Sequence, residues 1–383
     1  MTNHYSLAIL GGGLAGLSLL YHLQRAGKLA GQRVLLVDPA GTKTGHDRSW
    51  SFWEKEPGPF ESLVYQYWDE VTVHNAGQNL VCDIRPYRYK LIRSTEFYAH
   101  VNAVIDTIPG LERLAAPATD IRVEGKLVHF KVEGRELVAD LAFSSLPLHL
   151  RPRHIKAPYL DQHFRGWFVR TAEPTFDPAR AALMDFRTPQ HNESRFFYVM
   201  PFSAHEALVE IAIFSNNHLQ TGEYDRLIAG YLREHWTTGE YEITHREDGN
   251  IPMTTYPFPL REGNLIYIGM RGGATRPSTG YTFLALQRQL QQLASDFPAL
   301  QHLAPWPRKH LLYDATLLRI LQDGRLPGAE LFVGLFADNP PARVLAFLNG
   351  ESSLADELRL MRTTDIGVFG PTFVREAGKV LLG

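Results

Sequence analysis

Cysteine is almost missing: Cys82 is the only one in 383 residues. A single thiol forms no internal disulfide and supplies no cysteine-based metal site, so a reducing, cytoplasmic setting is the default expectation. Long apolar runs are missing as well. No stretch approaches the ~18 residues of a membrane-spanning helix, which leaves peripheral contact through an apolar patch as the way to meet a membrane. Ser6 to Leu23 is mostly apolar, yet no basic segment precedes it and glycines interrupt it, so it does not read as a secretory signal. An excess of one charge is also lacking. A formal net charge of −2 and a pI near 6.8 leave no basic footprint for nucleic acid. Neither an internal repeat nor a low-complexity linker breaks the chain. With 44% hydrophobic and 21% charged residues, it has the material for a well-filled core in two or three domains.

The first unit reads as strand, glycine turn, helix, strand. Tyr5 to Leu10 is a short apolar β-run, Leu14 to Ala26 has helical apolar spacing, and Arg33 to Val37 has the pattern of a buried strand. A loop rich in Gly, Thr and charge covers Pro39 to Ser49. Alternation from Trp68 to Tyr89 predicts antiparallel strands, and Ser94 to Ile105 a helix with a capping candidate at Ser94 or Thr95. Strands are expected at Ile121–Val123, Leu127–Val132 and Glu136–Phe143. About 159–260 is aromatic and strand-rich, with one helical piece from Tyr224 to His235. A strand at Leu265–Gly269, a glycine-rich turn and a helix from about Tyr281 to Leu293 follow, and helices fill most of the rest. The expected fold class is α/β. A discontinuous Rossmann-type cofactor domain (1–67, 94–150 and 262–300) carries an inserted β-rich substrate domain (68–93 and 151–261) and a helical C-terminal part (301–383).

Gly11-Gly12-Gly13-Leu14-Ala15-Gly16 lies between the first strand and the first helix. The first glycine permits the tight turn, the second admits a pyrophosphate close to the backbone, and the third lets helix pack on strand. The phosphates then meet unpaired N–H groups and the positive end of the helix dipole. Asp38 closes the second strand about 20 residues further on, where an acid accepts hydrogen bonds from a ribose. A second cluster, Gly269-Met270-Arg271-Gly272-Gly273 and then Arg276-Pro277-Ser278-Thr279-Gly280-Tyr281, feeds another helix. Its N-terminus could face the pyrimidine ring of a flavin. An ordinary loop of turn residues is the plain alternative.

The strand Ala207–Phe214 is apolar on both faces except at Glu210, which alternation places beside Leu208, Ala212 and Phe214. A carboxyl there is paired with a cation or held partly neutral, since burial raises its pKa above ~4.3. A buried neutral carboxyl is what a general acid working near neutral pH requires. The alternative is a structural ion pair with an arginine such as Arg195. His205 and Glu206 are expected in the preceding turn. Aromatic residues cluster at Trp50, Phe52 and Trp53, at Trp167 and Phe168, and at Phe196, Phe197 and Tyr198; such rings line cores and pockets and can stabilise a cation.

The chain resembles the bacterial lycopene β-cyclases, within a flavoprotein superfamily that includes aromatic hydroxylases and geranylgeranyl reductases. The resemblance rests on Gly11–Gly16 with Asp38, Asp47-Arg48-Ser49-Trp50-Ser51-Phe52-Trp53, Leu208-Val209-Glu210, Gly269–Gly273, Pro277–Tyr281, and the stretch Leu331–Phe336 onward to Arg343-Val344-Leu345. It spans almost the whole chain, and its most specific parts are the WSFW and PSTGY segments. In the family the glutamate is usually followed by another acid and a threonine; here Ile211 and Ala212 follow Glu210.

The resemblance implies FAD, active when reduced, with NADPH or NADH as reductant. It would be held by Gly11, Gly13, Leu14, Ala15, Gly16, Asp38, Arg48, Gly269, Gly273, Thr279, Gly280 and Tyr281. It also implies lycopene and related acyclic carotenoids as substrates, lined by Trp50, Phe52, Trp53, Phe197 and Ser278. The ψ ends would be cyclised to β rings through γ-carotene to β-carotene, without net redox change. Glu210 would supply or relay the proton, and anionic flavin would stabilise the carbocation in a dry site. An insoluble substrate implies a protein peripheral on the inner membrane face, with Phe369 to Leu382 one candidate contact. The rival readings are an FAD-dependent monooxygenase or other carotenoid oxidoreductase, and a non-catalytic carotenoid- or flavin-binding protein.

Overall fold

The computed structural model describes residues 3–148, 150, 155–236 and 239–382, the side chains of 380–382 excepted. The fold is mixed α/β with a Rossmann-type sheet. Its strands run in the order Arg261–Glu262, Leu265–Tyr267, Arg135–Ser144, His4–Leu10, Val34–Val37 and Leu111–Leu114. The central pairs are parallel, as crossover helices on the sheet require. An antiparallel meander, Ala118–Glu124 and Leu127–Val132, is added through the strand Arg135–Ser144. Helices Leu14–Arg25, Ser94–Ile105 and Phe283–Asp296 share a core with one face of this sheet, into which Phe97, Phe143 and Leu290 are fully buried. Each such side chain contributes about 1.5–3 kcal/mol.

A second sheet has seven strands, in the order Tyr241–Thr254, Tyr159–Thr171, Glu206–Ser215, Ser194–Pro201, Arg180–Asp185, Glu70–His74 and Asn79–Asp83. Its alternation is two-sided. Val209, Ile211 and Ile213 face the helix Thr221–His235, whereas Leu208, Ala212 and Phe214 face the C-terminal helices. Those helices are Arg308–Gln322, Gly328–Ala337, Pro341–Leu348, Leu354–Met361 and Ile366–Leu382. A small third sheet of Ser49–Glu54, Arg88–Arg93 and Val64–Trp68 lies beside the cofactor-type sheet.

Two helix starts differ from the sequence reading, and a third helix, Ser94–Ile105, has the expected bounds but not the expected cap. The helix expected from Tyr224 begins at Thr221, because Gln220 and Glu223 close a capping box in which Glu223 accepts the Gln220 N–H at 2.7 Å. Ser94 caps nothing: Arg93 holds the cap position, and the Ser94 hydroxyl accepts the N–H groups of Asp47 and Arg48 at 2.9 and 3.2 Å. The helix expected from about Tyr281 begins at Phe283, after a loop in which the Arg276 N–H donates to the Tyr281 carbonyl at 2.9 Å. Glu206, expected in a turn, opens its strand and pairs with Arg170 at 2.7 Å.

Helix and strand meet most closely at the glycine turn. A Cβ at Gly16 would lie 2.0 Å from the Gly11 carbonyl oxygen and 2.9 Å from Ile9 Cγ2, with backbone rather than a mobile side chain in the way. Gly16→Ala is therefore expected to destabilise the fold by more than the ~1–3 kcal/mol of ordinary overpacking. Chemical denaturation of the two proteins would check this, and equal midpoints would show that the helix shifts freely on its sheet.

Candidate functional site

The glycine turn opens onto a cleft of about 630 Å³, within the ~300–1,000 Å³ usual for ligand sites. Gly11 takes a φ of +108°, which side chains avoid, and space around Gly13 is open. The helix Leu14–Arg25 starts at Gly13 with no side-chain cap and no acid in its first turn, so its positive end is left for an anion. Asp38 is buried at the cleft wall and accepts the N–H groups of Gly12 and Ala40 at 2.7 and 2.9 Å. It thus fixes the turn itself, and a carboxylate with about four acceptor positions retains capacity for a ribose hydroxyl.

The second glycine cluster converges on the first. Gly269 has a φ of +66°, and a Cβ there would lie 2.8 Å from Ala15 Cβ. Gly280, at φ +74°, leaves room for Gln162, whose Oε1 would lie 2.0 Å from a Cβ. The helix Phe283–Asp296 also starts without a side-chain cap or an acid, and Thr282 and Phe283 line the same cleft. Two helix N-termini thus face one cavity, a donor set suited to a dinucleotide. The loop between them is anchored by a buried ion pair, Arg276 to Asp314 at 2.9 Å, with the Ser278 hydroxyl donating to Asp314 at 2.7 Å.

Glu210 lies deeper in the same cleft, inside a row that crosses four strands: Tyr198, Glu210, Gly166 and Glu247 stand side by side in register. Gly166 is needed there, because a Cβ would lie 3.2 Å from Glu210 Oε2 and 2.8 Å from Leu208 Cδ1. Burial holds the Glu210 carboxyl well above the ordinary carboxylate range, and the nearby Glu247 charge adds to this. Burial also raises Glu247, against the lowering effect of Ser49 donors and the Arg48 guanidinium. Arg195 does not pair with Glu210. It binds Glu193 at 2.6 Å, since the odd-numbered residues of its strand face the other side of the sheet. Tyr89 completes the surroundings; its hydroxyl donates to Ser51 at 2.8 Å and lies 3.1 Å from that of Tyr281, and burial pushes it up to about 12.

A second cavity of about 440 Å³, lined almost wholly by apolar and aromatic side chains, lies between the seven-stranded sheet and the C-terminal helices. Tyr198, Thr279 and Tyr281 border both cavities, so this apolar space abuts the cleft beside Glu210. Of the residues expected at the site, Gly11, Gly13, Leu14, Ala15, Asp38, Arg48, Trp50, Glu210, Gly269, Thr279, Gly280 and Tyr281 line the cleft. Trp53 and Ser278 line the apolar cavity. Gly16 sits behind the turn, and Gly273 stands away from the cleft wall in a left-handed conformation near Phe258. Phe52 lines a smaller neighbouring cavity and stacks on Phe283 at 4.7 Å.

Phe197 is a correction. It points to the opposite face of the sheet, fully buried against Tyr231 at 3.8 Å, and Phe196 and Tyr198 take the cavity side. Sequence reading also passed over Glu247, Tyr89 and the Arg276–Asp314 pair. Glu247 lies in a strand of alternating charge with no local mark of its place, and only register brings it to Glu210.

Both acids have folded-state pKa values above those of the unfolded chain. They contribute stability below the ordinary carboxylate pKa and lose it as pH rises through the folded values. Glu210→Gln removes one of these losses. The variant should melt roughly 2 °C or more above the unchanged protein near pH ~8.5, with the gap closing towards pH ~4. A thermal-melt series over pH checks this, and a gap that widens in acid would show a paired, ionised Glu210.

The fold recurs in solved flavoproteins at low identity. A geranylgeranyl bacteriochlorophyll reductase-like protein from Thermoplasma acidophilum superposes with a TM-score of 0.63 at 12% identity, over 99% of this chain and 100% of that one. A flavoprotein/dehydrogenase from Cytophaga hutchinsonii gives 0.63 at 12%, over 98% and 100%. A probable FAD-dependent monooxygenase from Pseudomonas aeruginosa gives 0.56 at 17%, over 84% and 98%. Comparison with curated proteins finds no match. The family model described as "Lycopene cyclase protein" matches residues 6–369, nearly the whole chain, and the protein belongs to the lycopene cyclase family.

Proposed function

We propose that the protein is a lycopene β-cyclase that converts the ψ ends of lycopene to β rings, through γ-carotene to β-carotene. The observation that carries this reading is Glu210, an acid without a cation partner among the described residues, in a dinucleotide-type cleft beside the Tyr198 wall shared with an apolar cavity. FAD would be held by the glycine turn, Asp38, Arg48, Gly269 and the Thr279–Tyr281 segment, with NADPH or NADH as its reductant. Reduced and bound, it supplies negative charge beside the developing cation.

The protein's own residues do the rest. Neutral Glu210 gives its proton to the terminal double bond, leaving a tertiary carbocation that the neighbouring double bond closes into a ring. The Glu210 carboxylate left behind is placed to take back the proton lost in forming the β end. Atoms balance and no electrons are transferred overall. Trp50, Tyr198 and Tyr281 line the cleft, and aromatic rings there would stabilise the cation and exclude water.

A polyene this insoluble must come from a lipid phase. No helix among the described residues is long and apolar enough to cross a membrane. We assign peripheral contact to the inner membrane face, through the rim of the apolar cavity. Leu358 and Ile366 border that cavity and are 51% and 67% exposed, and Leu354 and Val374 extend their helix faces at 63% and 72%. From the C-terminal candidate segment, Phe369 and Phe373 turn inward to line the cavity, while the side chains of Val380, Leu381 and Leu382 lie outside the described residues. Changing Leu354 and Val374 together to Lys should weaken sedimentation with neutral liposomes about tenfold or more, while detergent-dispersed lycopene is still cyclised. Unchanged sedimentation would move the contact elsewhere.

The decisive assay is anaerobic, with lycopene in liposomes, FAD and excess NADPH, reading pigments and NADPH together. Cyclised product without matching NADPH loss is expected, and Glu210→Gln should lower its rate at least about a hundredfold with flavin still bound. The assay is then repeated in air: oxygenated or desaturated product there, or NADPH loss that tracks turnover, would assign an oxidoreductase instead.

A further inference from the structure

Glu247 shares the site of Glu210 without sharing its sequence neighbourhood. Both are in register with Gly166, one on each side, so their side chains leave the sheet on the same face. Two strand spacings put their Cα atoms roughly 10 Å apart, a span that two glutamates can close directly or through one water. The glycine between them puts no side chain of its own there, and the Glu210 carboxyl and Leu208 Cδ1 pack over it. Glu247 is 8% exposed and lines the cleft, and its Oε2 has no hydrogen-bond partner.

The two acids are unequal. Ser49 and Arg48 favour the charged form of Glu247 and Asp47 opposes it. Glu210 has only burial and the Glu247 charge acting on it, and both favour its neutral form. Other titratable groups around the pair are His245 from the Glu247 strand, stacked on His46 at 4.7 Å, and the tyrosines Tyr198, Tyr89 and Tyr281, and Asp38, Lys43 and Tyr98 line the same cleft. Burial lowers the His46 pKa and raises those of the Tyr198, Tyr89 and Tyr281 phenols. Of the two glutamates, Glu247 is thus the one whose charged form its neighbours favour.

We propose that Glu247 is a positioning residue for the acid step: as a carboxylate it retains the proton on Glu210 and so sets the alkaline limit of activity. The proposal rests on Glu210 being the proton donor.

The test is the pH–rate profile of anaerobic cyclisation for the unchanged protein, E247Q, E247D and E210Q, with flavin content checking the fold. E247Q should move the alkaline limb down by about one pH unit or more, and E247D should restore most of it. A uniform loss at every pH, with the limb unmoved, would make Glu247 merely structural and overturn the proposal. An active E210Q would remove the underlying acid reading, whereas an inactive E210Q with an unmoved E247Q limb sinks this proposal alone. Should E247Q not fold, the unchanged protein decides by infrared titration. Two separated losses of the protonated-carboxyl band, the later one missing in E210Q, are expected, and a single joint loss is the contrary result.

Discussion

The site depends on keeping two carboxyl groups in an apolar wall without a cation between them. Glu210 and Glu247 flank Gly166 across three strands, and among the described residues no positive side chain offsets the burial of Glu210. Bringing such groups out of water costs stability unless a proton neutralises one of them. The surrounding structure makes neutralisation the lowest-energy answer. Aromatic rings and phenols close the space above, the sheet fixes the spacing below, and the donors near Ser49 reach only one of the two acids. A fold that merely needed stability would place an aliphatic residue at 210, as it does at 208, 209, 211, 212 and 213.

The other constraint is where two unlike spaces meet. A donor-rich cleft carries two uncapped helix ends, and an apolar chamber lies beneath the C-terminal helices; Tyr198, Thr279 and Tyr281 border both. Tyr281 is held on several sides, by the hydroxyl of Tyr89 at 3.1 Å, by the edge of Trp53 at 4.4 Å and through the Arg276 N–H. A wall so constrained can separate a charged cofactor from an oily substrate while leaving their reacting ends adjacent.

Much of this was legible in the sequence because its signals were local. Gly11 to Gly16, Asp38 and the Gly269–Tyr281 segment announce their roles through turn geometry, and Glu210 through its apolar neighbours. What was not legible depends on register. Phe197 and Tyr198 are adjacent and both aromatic, and one pleat step decides which faces the cavity; pairing with Glu210 selects Tyr198. Glu247 lies among charges on a strand of mixed polarity, and nothing within that strand shows that Gly166 leaves room beside it. Gln220 closing a capping box is a similar case, since glutamine is an uncommon residue at that position.

The buried pair of Arg276 with Asp314 ties the cofactor-side loop to the helix Arg308–Gln322, which roofs the apolar chamber. Removing one partner of such a pair typically costs about 3–5 kcal/mol. The C-terminal helices are therefore not an exchangeable cap. A chimera that takes its roof from a relative inherits a foreign residue at 314 and must carry position 276 and its serine neighbour across as well. Recombination points that respect the boundaries of secondary structure but divide this pair would give proteins whose chamber fits the substrate and whose Tyr281 no longer stands at its end.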